Sequence, residues 1–370
     1  MNSPVDPTAV VLWGGFALAF VFGAVASKAN FCTMGAVADV VNMGHWGRVR
    51  MWLLAVAVAV IGANLLHYSG QIDLTKTIYQ RPTLPWLSLL VGGSLFGVGM
   101  TLAAGCVNKN LIRLGGGSLR SLVVLVFVAI AAYMTLKGLF GQWRASWLDP
   151  VALDLSAFGL ADQSLASLLA SLSGLPVRTV GLVTALAVGA ALLALVFSDR
   201  RFRGSTVQVL GGIVLGLLVV AAWYLSGHLG HGESPETLET VYFATNTHTL
   251  ESLSFVAPTA YGLELLMLWT DKSLHLSFGI ATALGVAAGS FVVALATRGF
   301  QWEGFASLDD LRNQLVGAVL MGFGGVTALG CTVGQGMAGL STLALGSLIA
   351  VAAIVAGAVA TMKFILWREG

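Results

Sequence analysis

Three cysteines, Cys32, Cys106 and Cys331, have the most evident capacity for chemistry in this chain of 370 residues. Two of them follow a glycine, in the pairs Gly105-Cys106 and Gly330-Cys331. The sequence contains no CxxC pair and no Cys/His cluster, which argues against a structural zinc site and a thioredoxin-like redox pair. An odd number of cysteines argues against a disulfide framework. A lone cysteine in a membrane is usually a small apolar filler, and its thiol can also act as a weak S–H donor or react covalently.

The surroundings of the two Gly-Cys pairs are similar, which favours a functional role for both. The stretch 92–106 aligns without gaps on 317–331, with seven of fifteen positions identical. Such internal similarity, with an odd number of spans between the halves, is typical of transporters built from inverted repeats. We therefore expect a first repeat at 1–140, a connector with one unpaired span at 141–205, and a second repeat at 206–370.

The composition requires a membrane for these repeats. The chain is 57% hydrophobic and 10% charged, with a mean hydropathy of +0.86, whereas soluble domains carry about 25% charged residues. A span needs roughly 20 apolar residues. The sequence predicts an all-α membrane protein with about nine transmembrane helices and additional short re-entrant half-helices. The predicted spans lie near 9–27, 48–68, 85–105, 119–139, 179–198, 206–226, 275–297, 313–330 and 344–366.

The basic residues indicate how these spans are oriented. With the N-terminus outside and the segment 253–269 treated as re-entrant, thirteen of the 19 Lys and Arg residues lie on the inner side. The excess agrees with the positive-inside rule. We expect a multi-pass protein of the bacterial inner membrane, in contact with lipid, whose C-terminus is cytoplasmic.

The residues after the two Gly-Cys pairs are candidates for lining a path. If 107–113 and 332–339 form half-helices, their free N–H groups face the path and attract anions. Asn108, Lys109 and Thr332 would add polar groups at a depth where such groups are costly and usually functional. For Lys109, anchoring at the cytoplasmic interface is an equally good interpretation. The candidate path comprises Cys32, Cys106, Cys331, Gly105, Gly330, Lys109, Asn108 and Thr332.

Two motifs resemble the YeeE/YedE sulphur-transport family. They are the element Gly-x-Gly-x-x-x-x-x-Gly-Cys, present twice, and the stretch Asn30-Phe-Cys-Thr-Met-Gly-Ala-Val-Ala-Asp39. The resemblance implies an hourglass of nine spans and half-helices that takes up thiosulfate, with Cys32, Cys106 and Cys331 contacting its terminal sulfur. It also implies, for some members, a small cytoplasmic sulfur-carrier partner of the TusA type. The run 107–110 departs from the smaller, Gly-containing pattern that 332–336 keeps, so the substrate stays open.

Three hypotheses of function follow. The first is a permease for thiosulfate or a related sulfur anion, which would be no enzyme and would need no cofactor, metal or nucleic acid. The second is a membrane sulfurtransferase or thiol oxidoreductase that uses the same cysteines covalently. It is disfavoured by the missing CxxC and by the lack of a histidine near any cysteine. The third, a cation permease, is disfavoured because Asp39 and Glu264 are the main candidate carboxylates within the membrane.

Overall fold

A computed structural model describes residues 6–233, 240–305 and 307–369, and each predicted span coincides with one helix in it. The helices are α1 (Pro7–Lys28), α2 (Thr33–Met43), α3 (Gly47–Tyr68), α4 (Trp86–Leu102), α5 (Val107–Gly115), α6 (Leu119–Lys137), α7 (Leu139–Trp143), α8 (Leu165–Ser173), α9 (Val177–Phe197), α10 (Arg200–Arg203), α11 (Thr206–Tyr224), α12 (Val256–Met267), α13 (Phe278–Ala296), α14 (Leu308–Thr327) and α15 (Leu345–Glu369). Short 3₁₀ turns lie at Leu74–Lys76 and Leu155–Phe158, and π-helical turns at Arg144–Leu148, Leu225–Leu229 and Gly334–Gly339.

Strands are confined to the connecting segments of the described residues. The strand β1 (Thr83–Leu84) pairs antiparallel with β2 (Leu153–Asp154). The strand β3 (His231–Glu233) pairs antiparallel with β4 (Thr240–Tyr242). The predicted all-α membrane fold is confirmed.

Eight of the long helical segments are apolar enough to cross a bilayer within the described part of the chain. The predicted span outside this set of eight, 313–330, corresponds to α14, whose first turn carries Asp309 and Asp310. These carboxylates suit a helix N-terminus, where the Ser307 hydroxyl also accepts a hydrogen bond from the Asp310 N–H at 3.1 Å. The count of nine spans stays a prediction.

Three helices at the predicted re-entrant segments or beside the cysteines are too short to span a bilayer. The helices α2, α5 and α12 have 11, 9 and 12 residues, or about 14 to 18 Å at 1.5 Å per residue. The helix α12 falls in the segment that the charge analysis treats as re-entrant. The predicted half-helix at 332–339 is only partly right, because a π-helical turn forms at Gly334–Gly339 instead of an α-helix. Its three glycines have low helix propensity, which explains the difference.

The centre of the fold is a close crossing of α4 and α14. A Cβ built on Gly99 would lie 2.5 Å from the Gly317 carbonyl oxygen, and one on Gly317 would lie 2.6 Å from that of Gly99. Gly92 and Gly324 form a second reciprocal pair, at 2.8 and 2.5 Å. Only glycines allow the two backbones to approach this closely.

The other helix contacts repeat between the two halves. The helix α1 packs on α13 as α11 packs on α3, and α4 packs on α15 as α14 packs on α6. Reciprocal contacts of this kind are what a two-fold relation requires. The helix α9 packs on α3. The inverted repeat and its boundaries stay predictions, and this pattern is consistent with them.

The two ends of the helices differ in charge. The start of α3 adjoins Gln208 near the start of α11, whereas the end of α11 adjoins Ile72 beyond α3. We call the first end the cation-rich face, because Arg48, Arg50 and Arg201 lie there. We call the opposite end, which holds the segments 69–85 and 240–255, the loop-rich face.

Candidate functional site

The same kind of helix end precedes each of the three cysteines. The helices α1, α4 and α14 each end near a non-glycine residue in the left-handed conformation: Asn30 at φ 52°, Ala104 at φ 52° and Leu329 at φ 57°. Left-handed backbone costs roughly 1–2 kcal/mol for L-residues. In each case the cysteine lies two residues later.

Each of these helix ends is closed by the same hydrogen bonds. The N–H of the residue before each cysteine donates to a carbonyl five residues back, at 2.8 to 2.9 Å. The pairs are Phe31 to Ala26, Gly105 to Met100 and Gly330 to Gly325. This is the Schellman motif, which ends a helix and turns the chain. It places every cysteine at the start of a new short segment.

Two of the sulfurs accept a backbone hydrogen bond from that new segment. The Gly35 N–H donates to Cys32 Sγ at 3.3 Å, and the Gly334 N–H donates to Cys331 Sγ at 3.4 Å. Cys106 occupies the N-cap position of α5 without such a hydrogen bond. The thiols therefore lie at the N-terminal ends of three short segments, where positive potential favours an anion.

The structure brings the cysteine segments together. The Cys106 thiol is a neighbour of the Cys32 thiol and of the Thr332 hydroxyl. Thr332 is the neighbour of Cys331 in the chain, so one contact joins the two Gly-Cys segments. All three thiols are buried. This arrangement offers S–H donors in series and a hydroxyl between them.

Two further residues of the candidate path have polar atoms without a partner. Among the described residues, neither Thr332 Oγ1 nor Asn108 Oδ1 accepts or donates a hydrogen bond by ordinary geometry, although both side chains are 2% exposed. Buried polar groups are nearly always paired, and an unpaired one costs about 1–3 kcal/mol. Their position beside the thiols is consistent with a polar ligand.

Lys109 lies at the cation-rich end of this group. Its Nζ donates to Asn30 Oδ1 at 2.9 Å, and its aliphatic stem lies over Gly105. Arg113 donates from Nη1 to the Ala104 carbonyl at 2.8 Å. Both cations are thus held by the left-handed turns that precede Cys32 and Cys106.

The sequence analysis missed one charged pair near the site. Arg48 Nε lies 2.8 Å from Asp39 Oδ2, with the Asp39 side chain 8% exposed. The pair joins the last turns of α2 to the first turn of α3. The nine-residue spacing could not show this contact, because the contact depends on how the chain turns at Gly44, which is left-handed at φ 64°.

A cavity of about 270 Å³ opens at the loop-rich face and reaches Gly330. Its wall includes Tyr79, Arg81, Arg144 and Glu251. Arg144 is paired with Asp149 at 3.1 Å, whereas Arg81 forms no ion pair with the described residues.

Two acids of this cavity are shifted toward their neutral forms. Burial, with Cys331 and Glu251 nearby, raises the pKa of Tyr79 well above its ordinary value, so the phenol remains a donor. Burial also raises the pKa of Glu251, although its carboxylate accepts hydrogen bonds from Thr247 at 2.9 and 2.7 Å. Across the described residues, no group of three or more His, Cys, Asp or Glu side chains is placed to hold a metal ion.

Comparison with known proteins decides the family. The sulphur-transport family model matches residues 28–360. The chain belongs to the sulphur-transport family. This result confirms the resemblance derived from the Gly-Cys motifs and identifies the protein as a multi-pass membrane transporter.

Two curated relatives of this sulphur-transport protein carry the name thiosulfate transporter TsuA. The protein from Escherichia coli is 26% identical over 340 residues, covering 88% of this chain and 87% of the relative. The protein from Spirochaeta thermophila is 25% identical over 373 residues, covering 97% and 100%. The similarity therefore extends over essentially the whole chain.

Proposed function

We propose that this protein is an inner-membrane permease that imports thiosulfate or a closely related sulfur anion. The observation that carries the proposal is the position of the Cys106 thiol, between the Cys32 thiol and the Thr332 hydroxyl. Thiols and amide N–H groups at this point suit an anion with a soft sulfur end. The names of the two relatives support the same substrate.

The path would run from the loop-rich face to the cation-rich face. Arg81 and Arg144 in the loop-rich cavity would raise the local concentration of anions. The anion would then pass Cys331, Cys106 and Cys32 in turn, and Lys109 would draw it toward the cytoplasm. The proposal places the N-terminus outside and the C-terminus inside.

Neutral thiols would favour passage over capture. An S–H group donates weakly to the terminal sulfur of thiosulfate, whereas a thiolate would repel the dianion. Several weak contacts in series suit conduction, since tight binding at one point would trap the anion. A TusA-like sulfur carrier would be the cytoplasmic partner at the cation-rich face, by the family resemblance alone.

The test is uptake of labelled thiosulfate by cells that lack other sulfur importers. Cys106→Ala and Cys331→Ala should each lower the initial rate sharply, because the anion must pass both thiols in series and alanine removes the S–H donor. Serine at either position should restore little, since its hydroxyl is a harder donor. Val196→Ala, which truncates a fully buried side chain outside the candidate path, is the matched control.

The outcomes separate transport from packing and from covalent chemistry. Wild-type uptake in both alanine variants would refute the proposal. The proposal would be supported if a cysteine variant and Val196→Ala lose the same thermal stability but only the cysteine variant loses uptake. A loss of packing alone would affect uptake alike in both variants. A stoichiometric persulfide on Cys106 or Cys331 during turnover would instead favour the membrane sulfurtransferase.

A further inference from the structure

The loop-rich cavity ends at two hydroxyl groups beside the Cys331 segment. A Cβ built on Gly334 would lie 2.7 Å from Ser254 Oγ and 3.5 Å from the Tyr79 hydroxyl. Both residues and Gly330 line the cavity. The Gly334 N–H is the group that donates to Cys331 Sγ. The two hydroxyls therefore flank the first turn of the segment that holds this thiol.

Neither hydroxyl is committed to another residue. Among the described residues, Ser254 Oγ and the Tyr79 hydroxyl form no hydrogen bond. Ser252, two positions earlier, differs, since its Oγ donates to the Val219 carbonyl at 3.1 Å. Hydroxyl groups that line a cavity and have no protein partner are available to a polar ligand.

The Tyr79 ring is held in position relative to the Cys331 segment. It makes an edge contact with Trp223, with ring centroids 6.4 Å apart and planes at 89°. The Trp223 indole N–H in turn donates to Ser341 Oγ at 3.0 Å. Gln80 adds a second link, because its Nε2 donates to the Thr342 carbonyl at 2.7 Å.

Ser254 lies one residue before the N-cap of α12, and Cys32 is the N-cap of α2 in the other half. Cys32 caps α2, which packs on α15, whereas Ser254 and Phe255 precede α12, which packs on α6. The two-fold relation that interchanges the glycines of α4 and α14 also interchanges these two helix contacts. A hydroxyl thus lies near the start of the short helix on the loop-rich side, as a thiol does at the start of the short helix on the cation-rich side.

We propose that Ser254 and Tyr79 form a hydroxyl pair that binds the oxygen end of the incoming anion and directs its terminal sulfur toward Cys331. This inference rests on the proposed function. Hydroxyl groups are hard donors that suit sulfonyl oxygens, whereas the thiols suit the sulfur. The pair would select anions that carry both ends and would impose one orientation on them.

The test is the concentration dependence of the initial rate of thiosulfate uptake. Ser254→Ala and Tyr79→Phe should each raise KM about three- to tenfold with little change in the maximal rate, as expected for one lost hydrogen bond. Ser252→Ala, from the same segment, should leave KM unchanged. Sulfite, which offers oxygens but no terminal sulfur, should compete less well in Ser254→Ala than in the wild type.

Stability measurements keep the test independent of folding. The Tyr79 hydroxyl has no partner to lose, so Tyr79→Phe should unfold at the wild-type temperature or slightly above it. Wild-type KM and wild-type sulfite competition in both variants would overturn the hydroxyl pair, even if Cys331→Ala abolishes uptake. Absence of thiosulfate uptake by the wild type would overturn the proposed function itself.

Discussion

The reciprocal contact between Gly99 and Gly317 gives a sharp test of how the two halves meet. An alanine methyl at either position would lie 2.5 or 2.6 Å from a facing carbonyl oxygen, whereas ordinary contacts begin near 3.4 Å. The helices α4 and α14 must therefore separate by nearly 1 Å. Overpacking of this kind costs about 1–3 kcal/mol.

A gain in helix propensity opposes that cost. Replacing glycine by alanine inside a helix stabilises it by about 0.8–1 kcal/mol. The net loss in the free energy of unfolding should lie between about 0 and 2 kcal/mol for Gly99→Ala, toward the upper end because the facing atom belongs to the backbone and cannot rotate away. Gly317→Ala should lower the free energy of unfolding by a similar amount, because Gly317 faces the Gly99 carbonyl as Gly99 faces the Gly317 carbonyl.

The double variant tests whether the two methyls share one displacement. Once the first methyl has parted the helices, the second needs little further movement, so the double variant should be about 1 kcal/mol more stable than the sum predicts. The assay is thermal unfolding of the purified protein in detergent. Gly262→Ala is the control, since its methyl would have no neighbour closer than 3.9 Å and should not destabilise α12.

The reasoning would be refuted by either of two results. Single variants that match or exceed the wild-type stability would show that the crossing has room for a methyl group. Strictly additive losses in the double variant would show that the two glycines do not meet at a shared contact.

Four other expectations can be measured alongside it. Lys109→Gln should slow thiosulfate uptake several-fold and Lys109→Arg should slow it less, because arginine keeps the positive potential; equal, full activity of both would make Lys109 an interfacial anchor. Cys32→Ala should impair uptake with protein abundance unchanged, and a wild-type rate would remove Cys32 from the path. A reporter fused after Gly370 should behave as cytoplasmic, and labelling only from outside would exclude the proposed orientation. Because burial raises the pKa of Glu251, the stability that its neutral form supplies is fully present below the ordinary glutamate pKa and is lost as pH rises through the raised value, so thermal stability should fall less with rising pH in Glu251→Gln than in the wild type, and an equal fall in both would contradict this.

The positions of the spans could be predicted because they depend on composition alone. Runs of apolar residues long enough for a bilayer leave little choice of structure. The α5 half-helix was also predictable, since Val107–Gly115 follows the pair Gly105-Cys106 and contains lysine, leucine and arginine, which are good helix formers. The conformation of the Cys331 segment was less predictable. Its glycines have little preference for a helix, so tertiary contacts decide its conformation.

The turn before each cysteine could not be predicted. Left-handed helix ends usually carry glycine or asparagine, yet alanine and leucine occupy two of these three positions. The sequence analysis therefore linked Cys106 with Cys331 and left Cys32 apart. Only the backbone shows that the turn from Asn30 to Cys32 has the same geometry as the turns before Cys106 and Cys331. Only the fold brings Ser254 and Tyr79 to the Cys331 segment.

The crossing of α4 and α14 also has a consequence for biosynthesis. Gly99 meets a partner that lies about 220 residues further along the chain, and at 5–20 residues per second the ribosome needs roughly 10–40 s to reach it. During that interval the first half is in the bilayer with its glycine-lined surface covered only by lipid or by the insertion machinery. Nascent chains that stall in the connector should consequently be targets for membrane proteases, and the two halves expressed as separate polypeptides should accumulate only when both are present.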